Sequence, residues 1–532
     1  MEFFKKIIIF FYRKIVLHAD YKIWEKQFKF LCVKKINCNM SFLICSIFTM
    51  PATLKFEIIL STLLYKKNYS GYILIRKRNK YYEKLISVNP NCKILSFDDF
   101  IDKTDIQESK IWSKKIIDNF KKKKILIKKQ VLSTTLRKLR KGSLNLKNDK
   151  EVKVLFDDLV EYQLSLKVAK KIHRKFNFDI LIINEKGYTP ASEIFDSFIK
   201  KKKTVIQWVS SVNDDAFVFK KYNYKNKYLH PFSLDQETWK KNIKMKWPKV
   251  KNNQILSKIK SFYKSGQWFN RQDLNKDKSF YKKTELIKEL KVNKFKKTAV
   301  IFSHIFYDAT FFFGRNIYFD YQEWLIQTVK IAIQNKNINW ILKVHPVNIW
   351  RSRMDNAKLE NLETKAIIDY FGKIPKNIKI IESDTKINTL SFIEFIDYGI
   401  TVRGTIGLEL SSFGKIVVTA GTGRYDGNGF TLDPKSKKEY EHILLNLHKY
   451  KSLSRKKINL AQKFFEICYL KRPIKLPQIN FNYKSKSLKV DELKYNLKIL
   501  SKDENTFFGC KHITHLTEWM INKSQRDILK VE

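Results

Sequence analysis

Short apolar runs alternate with longer amphipathic segments along most of this 532-residue chain. In the first half, "SFLICSIF" precedes the helical pattern "PATLKFEIILSTLLYKK", and the apolar run "GYILIRK" follows it. Two further strands are predicted at "FDILIINEKG" and "KTVIQWVS", with a helix between them. Strands that alternate with helices favour parallel sheets covered by helices. The pattern therefore predicts a Rossmann-like domain over residues 40–215.

A second alternating series follows a Lys- and Trp-rich segment, residues 216–297, which is expected to hold short helices and a connector. This series predicts a second Rossmann-like domain over residues 298–450. Residues 1–39 are expected to form a basic, aromatic helical segment, and residues 451–532 a C-terminal helical segment. The predicted fold class is α/β, with two Rossmann-like domains facing a cleft and extra helices at both ends.

One strand end of the second series carries the strongest binding signal. "DYGITV" is expected to be a strand, Arg403-Gly404-Thr405 a turn, and "IGLELSSFG" a short helix that ends at Gly414. Helix N-termini at strand ends bind anions, because their N–H groups have no partner within the helix. Gly404 and Gly407 would permit close approach, Thr405 could cap the helix and Arg403 could pair with phosphate. Glu409 could accept hydrogen bonds from a ribose. The alternative is an ordinary strand-to-helix turn with a surface glutamate.

Other strand ends of the same series also carry polar side chains. "ILKVHP", "FSHIFYDAT" and "GTGRYDGNGF" each follow or end an apolar run. The side chains that they add to the site are Lys343, His345, Pro346, His304, Asp308 and Arg424. Because the carboxyl ends of parallel strands meet at one edge of a sheet, the sequence predicts a nucleotide site there.

The charge balance narrows the range of partners. Lys and Arg number 105 against 52 Asp and Glu, a formal net charge of +53. Such a surface attracts anions such as nucleotides, acidic sugars, nucleic acid or anionic lipid. An alternative cause of most of the charge is an AT-biased genome, because the sequence is also rich in Ile, Asn and Phe. A basic nucleic-acid-binding protein is the non-enzyme alternative, but the sequence contains no recognised motif of that class. Nucleic acid is therefore not an expected partner.

The cysteines and the N-terminus bear on location. The six cysteines show no paired CxxC spacing, which favours a reducing cytosol. The apolar run from Ile7 to Tyr12 is too short to span a membrane, and no signal peptide is expected. The basic, aromatic start could lie on an anionic membrane surface or pack on its own domain. We expect a cytoplasmic protein, with peripheral contact at the inner face of the membrane as one alternative.

Several motifs together resemble a known family. "LKVHP", "RGTIGLELSSFGKIVV" and "GTGRYDGNGF" are similar to the C-terminal half of bacterial capsule polysaccharide biosynthesis proteins, which include Kdo transferases with a His-Pro motif. The resemblance covers residues 297–447. It implies a glycosyltransferase of the two-Rossmann B type, whose C-terminal domain holds a nucleotide-sugar donor. His345 and Pro346 match the His-Pro pair, and Glu409 matches an acidic residue near the ribose of the donor.

The implied chemistry is an inverting displacement at an anomeric carbon, with a polysaccharide or glycolipid as acceptor. Fixed donors at Arg403, Lys343 and His345 could stabilise the departing phosphate. No Asp-x-Asp motif is present, so no metal site is expected. No cofactor is expected beyond the donor substrate, with CMP-linked sugars among the candidates.

The base that activates the acceptor is left open by the sequence. Glu185 follows a strand of the first domain, and Asp308 is its rival in the second. His304 could contact the phosphate or take part in catalysis. A nucleotide-sugar epimerase and a polyol-phosphate transferase of the teichoic-acid type are the alternative enzymes.

Overall fold

The computed structural model describes residues 2–31, 38–48, 50–122, 127–212, 216–268, 274, 277–354, 356–483 and 495–531. The chain divides into two compact units. The first unit comprises Met1–Ile125, Phe156–Lys227 and Pro473–Glu532. The second unit comprises Leu126–Leu155 and Tyr228–Arg472.

The secondary structure alternates between strands and helices in both units. The strands are β1 (Met40–Ser46), β2 (Tyr69–Ile75), β3 (Cys92–Ser96), β4 (Ile180–Ile183), β5 (Thr204–Ser210), β6 (Ala216–Tyr222), β7 (Thr298–Phe302), β8 (Asn339–Lys343), β9 (Ile378–Ile381), β10 (Tyr398–Thr401), β11 (Ile416–Thr419), β12 (Ile474–Lys475), β13 (Ile479–Tyr483) and β14 (Tyr495–Ile499). The helices are α1 (Glu2–Phe28), α2 (Pro51–Tyr65), α3 (Lys80–Ser87), α4 (Lys103–Lys121), α5 (Lys129–Leu139), α6 (Asp149–Lys175), α7 (Ala191–Lys200), α8 (Gln236–Ile243), α9 (Lys249–Lys264), α10 (Lys283–Glu289), α11 (Tyr321–Gln334), α12 (Val347–Met354), α13 (Leu362–Phe371), α14 (Thr389–Phe395), α15 (Thr405–Ser412), α16 (Lys437–Leu445), α17 (Arg455–Phe465), α18 (Glu504–Phe508) and α19 (Lys511–Ile521).

The first unit is built on a seven-stranded sheet in the order β12-β6-β5-β4-β1-β2-β3. Strands β1 to β5 run parallel, whereas β6 and β12 are antiparallel to their neighbours. Strand β4, at the centre, consists of four buried apolar residues, as expected of a strand whose two faces are both covered. Ile44 of β1 pairs with Ile182 of β4, and both side chains are fully buried.

The second unit is built on a five-stranded parallel sheet in the order β11-β10-β7-β8-β9. The order reverses between β7 and β10, which makes their carboxyl ends the switch point where ligands bind in open α/β sheets. Trp324 of α11 and Trp340 of β8 are among the largest buried side chains of its core. The prediction of an α/β chain with two Rossmann-like domains is confirmed.

The first sheet extends beyond the range that the sequence indicated. Residues 216–222, expected to begin a connector, form strand β6, and Ile474 of β12 pairs with Phe217 of β6. Two lysines interrupt the apolar pattern of this strand, and both are buried because each has a polar partner. Lys220 forms an ion pair with Asp527 at 2.8 Å, and Lys221 donates to the carbonyl of Trp519.

Two other segments differ from the expected boundaries. Residues 473–532 were expected to be helical, but they contribute β12 and the hairpin β13–β14 to the first unit. Strand β12 pairs with β6, which is distant in sequence, and β13 pairs with its neighbour β14. The segment that contains α5 falls in the second unit instead of the first. Arg137 of α5 is anchored there by Asp308, a contact that no local sequence pattern indicates.

The second half of helix α1 packs on the first unit. Trp24 and Phe28 are fully buried, and the Trp24 indole Nε1 donates to the carbonyl of Leu85 at 3.2 Å. This arrangement matches the alternative in which the segment packs on its own domain. The side chains of residues 2–13 lie outside the described part, so membrane contact there stays a prediction. Among the described residues, no helix combines the length and the apolar character needed to cross a bilayer.

Candidate active site

A pocket of about 330 Å³ lies in the second unit at the carboxyl ends of β7, β8 and β10. This is the switch point of the parallel sheet. Nine of the residues singled out in the sequence line it: Lys343, His345, Pro346, Arg403, Gly404, Thr405, Arg424, His304 and Asp308. The structure thus brings together side chains that are more than 100 positions apart.

The turn between β10 and α15 presents backbone donors at the pocket. Gly404 is the N-cap of α15, and its own N–H donates to Thr401 Oγ1 at 3.1 Å. The first-turn N–H groups of a helix have no partner within it, and here Thr405 and Ile406, which line the pocket, carry two of them. No side chain caps this helix, so the predicted capping role of Thr405 is wrong.

Arg403 places a buried positive charge beside this turn. Arg403 is only 4% exposed, and its Nη2 donates to the Arg315 carbonyl at 3.2 Å and to Asn316 Oδ1. Among the residues that the structure describes, Nε and Nη1 have no hydrogen-bond acceptor, and no carboxylate forms an ion pair with the guanidinium. Burial lowers the pKa of Arg403, against the opposing effects of Tyr321 and Asp426. A buried guanidinium without a counter-ion favours an anionic ligand.

Two further cations line the pocket. Arg424 donates from Nη1 to the carbonyl of Arg403 at 3.3 Å and from Nη2 to Tyr469 Oη at 3.1 Å. Lys343, 3% exposed, makes no hydrogen bond or ion pair to the residues that the structure describes. Burial, and then the neighbouring Lys278, lower the pKa of Lys343 to about 7. An anion bound in the pocket would favour the charged form of this lysine.

His345 presents one ring nitrogen as a donor. Its Nδ1 accepts the N–H of Val347 at 3.2 Å, so the proton of the neutral ring is assigned to Nε2. Burial, followed by the charge of Lys343, lowers the pKa of His345 to about 4. The side chain is therefore a neutral N–H donor at physiological pH. Pro346 directly precedes α12 and fixes the direction in which the chain leaves β8.

His304 supports the turn with its Nε2 atom. This nitrogen accepts the N–H of Val402 at 3.1 Å and lies 3.0 Å from Thr401 Oγ1. Burial holds the pKa of His304 well below its ordinary value, and the charges of His345 and Arg403 lower it further. Its Nε2 is therefore occupied by the backbone of the turn. The catalytic role suggested for His304 would have to use Nδ1.

The two candidate bases occupy different environments. Asp308 lines the pocket, but its Oδ1 lies 2.5 Å from Arg137 Nη1 and its Oδ2 lies 3.2 Å from Arg351 Nη2. Both of its oxygens are thus engaged in ion pairs. Glu185 lies after β4 in the first unit, where Oε1 accepts the N–H of Gly187 at 3.1 Å.

Glu409 and Gly407 lie behind the pocket instead of lining it. Glu409 is fully buried, and the Tyr263 hydroxyl donates to its Oε2. Burial raises the pKa of Glu409 to about 7, against hydrogen bonds from Tyr263 and Thr405. A direct ribose contact needs an exposed oxygen, so the structure does not support that role. At Gly407 an added Cβ would lie 2.0 Å from Tyr425 Oη, so this glycine makes room for Tyr425.

An aromatic wall of the pocket was missed in the sequence. Residues of the segment once expected to be a connector, together with Phe313, supply it: His230, Phe232, Tyr263, Trp268 and Phe313. The rings of His230 and Phe313 lie 4.5 Å apart, and Trp268 stacks on Phe262 at 5.2 Å. In the sequence, the aromatic residues interleaved with lysines in residues 216–297 were the signal that could have indicated this wall. No group of three or more His, Cys, Asp or Glu within the described ranges could hold a metal ion.

Comparisons with known proteins give structural similarities only. No protein-family model matches the sequence, and no curated protein matches it. Two solved Kdo transferases of Thermosulfurimonas dismutans KpsC are similar in structure. The β-Kdo 2,4-transferase has a TM-score of 0.32 and 12% identity over 54% of this chain and 79% of its own. The β-Kdo 2,7-transferase has a TM-score of 0.34 and 15% identity over 58% and 82%.

A UDP-GlcNAc 2-epimerase from Neisseria meningitidis, solved with UDP-GlcNAc bound, is similar as well. Its TM-score is 0.27, with 10% identity over 80% of this chain and 95% of its own. At such identities the function has to be inferred from the residues of the site.

Proposed function

We propose that this chain is a glycosyltransferase that moves a sugar from a nucleotide-activated donor to a growing surface polysaccharide or glycolipid. The observation that carries the proposal is the buried Arg403 guanidinium, which has no carboxylate partner among the described residues and lies beside the first turn of α15. That arrangement suits a phosphate group. The resemblance of the His-Pro and "RGTIGLELSSFG" motifs to capsule polysaccharide biosynthesis proteins supports the choice of acceptor.

The reaction would develop negative charge on the phosphate that leaves the anomeric carbon. Fixed donors aimed at such a charge lower the barrier because they need no rearrangement as the charge forms. In this proposal the donors are the Arg403 guanidinium, the first-turn N–H groups of α15 and the His345 Nε2–H. Lys343 adds charge when the phosphate is bound. These cations let the proposed step proceed without a metal ion.

The nucleoside of the donor would pack on the aromatic wall. Stacking on a ring is worth about 1–3 kcal/mol per base and is tolerant of base identity. Because ring stacking is tolerant of base identity, the wall alone does not select one base. CMP-linked sugars are included among the candidate donors, together with UDP- and GDP-linked ones.

The proposed reaction also needs a base that activates the acceptor hydroxyl. Asp308 is held by Arg137 and Arg351, and such pairing favours its ionised form at the expense of proton uptake. Because this pairing counts against Asp308, we favour Glu185, the other candidate that the sequence offers, as the base. Its neighbour Lys186 is buried, and burial lowers the pKa of this lysine to about 7.

The test combines donor binding with product analysis. Purified protein is screened by thermal shift against CMP-, UDP- and GDP-sugars, since a ligand at 100 times its dissociation constant stabilises by about 2.7 kcal/mol. The donors that bind are then incubated with polysaccharide and glycolipid acceptors, and products are identified by mass spectrometry. Transfer of the sugar with release of nucleotide supports the proposal. An isomerised nucleotide sugar would indicate a nucleotide-sugar epimerase, and a transferred polyol phosphate would indicate a polyol-phosphate transferase.

Arg403→Ala is the informative variant, and Arg315→Ala is its matched control. Arg315 lies near the site, but its side chain is exposed and does not line the pocket. We expect Arg403→Ala to lose donor binding and Arg315→Ala to keep it. Equal donor binding by both variants would contradict the proposed phosphate site.

A further inference from the structure

A closed ring of hydrogen bonds lies behind His345. The Ser303 hydroxyl accepts the His345 N–H at 2.9 Å and donates to Glu363 Oε1 at 3.1 Å. The Asn348 side-chain amide donates to Glu363 Oε2 at 2.9 Å. The main-chain N–H of Asn348 donates to the carbonyl of His345 at 3.2 Å, which closes the ring.

The ring is shielded from water. Glu363 is 1% exposed, Ser303 4% and Asn348 8%. A buried carboxyl group is costly unless its oxygens are hydrogen-bonded, and here each oxygen has one side-chain donor. Burial raises the pKa of Glu363 to about 7, and the bonds from Asn348 and Ser303 oppose that rise.

The ring joins three parts of the second unit. Ser303 follows β7, Asn348 belongs to α12 and Glu363 belongs to the first turn of α13. Ser303 and Asn348, which both donate to Glu363, contact the main chain of His345 on either side of its Cα atom. The Val347 N–H fixes the imidazole itself through Nδ1. Little freedom is left in the direction of the Nε2–H bond.

We propose that Glu363 is a positioning residue that sets the direction in which His345 presents its Nε2–H to the pocket. The part of this inference that concerns the donor phosphate rests on the proposed function. The orientation of the His345 imidazole does not rest on the proposed function, because it can be measured without a ligand. Misplacement of a catalytic donor by a fraction of an ångström affects turnover more than binding.

Three variants of the full-length chain test the proposal. Glu363→Gln keeps the size of the side chain but leaves it one acceptor oxygen for two donors. Glu363→Gln combined with Asn348→Asp exchanges the carboxylate and the amide and can rebuild the pair. Glu382→Gln is the matched control. Glu382 accepts a hydrogen bond at 2.8 Å from Thr364, the neighbour of Glu363 on α13, and its charge acts on Glu363. Among the described residues it makes no hydrogen bond to Ser303, Asn348 or His345, so this variant changes a nearby charge and keeps the ring of hydrogen bonds.

The first readout is steady-state kinetics with a donor that binds. We expect Glu363→Gln to lower kcat on the order of 10-fold with KM for the donor changed by less than about twofold. The double variant should recover most of the lost turnover, and Glu382→Gln should match the wild type. Wild-type kcat in Glu363→Gln, or an equal loss in Glu382→Gln, would overturn the proposal.

The second readout is ligand-free. Long-range ¹⁵N–¹H spectra of protein labelled at its nine histidines report which ring nitrogen carries the proton, with His345→Gln used for assignment. We expect the wild type and the double variant to show His345 with protonated Nε2, and Glu363→Gln to show averaged nitrogen shifts. An unchanged His345 signal in Glu363→Gln would overturn the proposal even if transfer were never detected. If Glu363→Gln does not fold, Ser303→Ala breaks the same ring and is judged by the same spectrum.

Discussion

Arg137 on α5 lies 2.5 Å from Asp308 in the loop after β7, so a helix that is distant in sequence holds the loop that lines the pocket. Arg351 of α12 contacts the other oxygen of the same carboxylate at 3.2 Å. The position of Asp308 is thus set by ion pairs from two helices. This arrangement fits a role in ordering the pocket wall and not one in taking up the acceptor proton.

The first prediction concerns this carboxylate. Asp308→Asn keeps the shape of the side chain and removes its charge, so we expect kcat to fall less than about 10-fold and stability to fall by about 1 kcal/mol or less, since partly exposed ion pairs contribute little. Kinetics and chemical denaturation provide the measurements. Glu185→Gln should lower kcat far more. The reverse order of the two effects would assign the base to Asp308.

The second prediction concerns Lys343. This buried lysine makes no hydrogen bond or ion pair with the described residues, and its charge is expected to be balanced by the ligand. Lys343→Met should raise the melting temperature of the ligand-free protein at pH 6, where the wild-type lysine is charged, because burial of an unpaired charge is unfavourable. It should weaken nucleotide binding by about 10-fold, or about 1.4 kcal/mol. Tighter nucleotide binding by this variant would contradict the assignment.

The third prediction concerns pH and Glu409. Its pKa of about 7 in the folded protein lies above the ordinary value, so the folded state holds a proton that the unfolded state releases. Its contribution to stability is therefore present at pH 4 and is lost as pH rises to 7. Glu409→Gln cannot ionise, so between pH 5 and pH 8 it should lose less stability than the wild type, by up to about 3 kcal/mol. Thermal unfolding at both pH values measures the difference. Parallel losses in both proteins would show that Glu409 is ionised throughout.

The fourth prediction concerns the N-terminus. Trp24 and Phe28 belong to the core of the first unit, so deletion of residues 2–30 would damage the fold itself. Deletion of residues 2–13 alone is the sharper experiment. If this segment contacts membranes, the shortened protein should sediment less with anionic liposomes and keep its affinity for nucleotide. Equal sedimentation of both proteins would argue against membrane contact.

Sequence patterns could predict the two sheets and most of the pocket because both depend on local features. Apolar strands such as β7 and β8, and the polar residues at their ends, are contiguous in sequence. The strand order then places His345 near Arg403 without further information. What the pattern could not show are contacts between distant segments. Arg137 reaches Asp308 across 171 positions, and Tyr263 reaches Glu409 across 146.

The same limit explains why the burial of Glu409 was not predicted. Spacing places a glutamate one turn after Arg403, but it does not show which face of α15 is covered. Tyr263 on α9 covers that face, and Glu409 is buried against it. Glu363 was missed for the same reason, because its partners Ser303 and Asn348 come from two other elements.

The most direct test of the account is a comparison of turnover and nucleotide affinity in His345→Ala. We predict that kcat falls on the order of 10²-fold, as expected when one fixed donor to a developing charge is removed. The dissociation constant of the nucleotide should change by less than about threefold, because the Nε2–H acts mainly in the transition state. Single-turnover kinetics and calorimetric titration give the two numbers. Wild-type turnover in His345→Ala would contradict the account, because the pocket would then not be the site of the reaction.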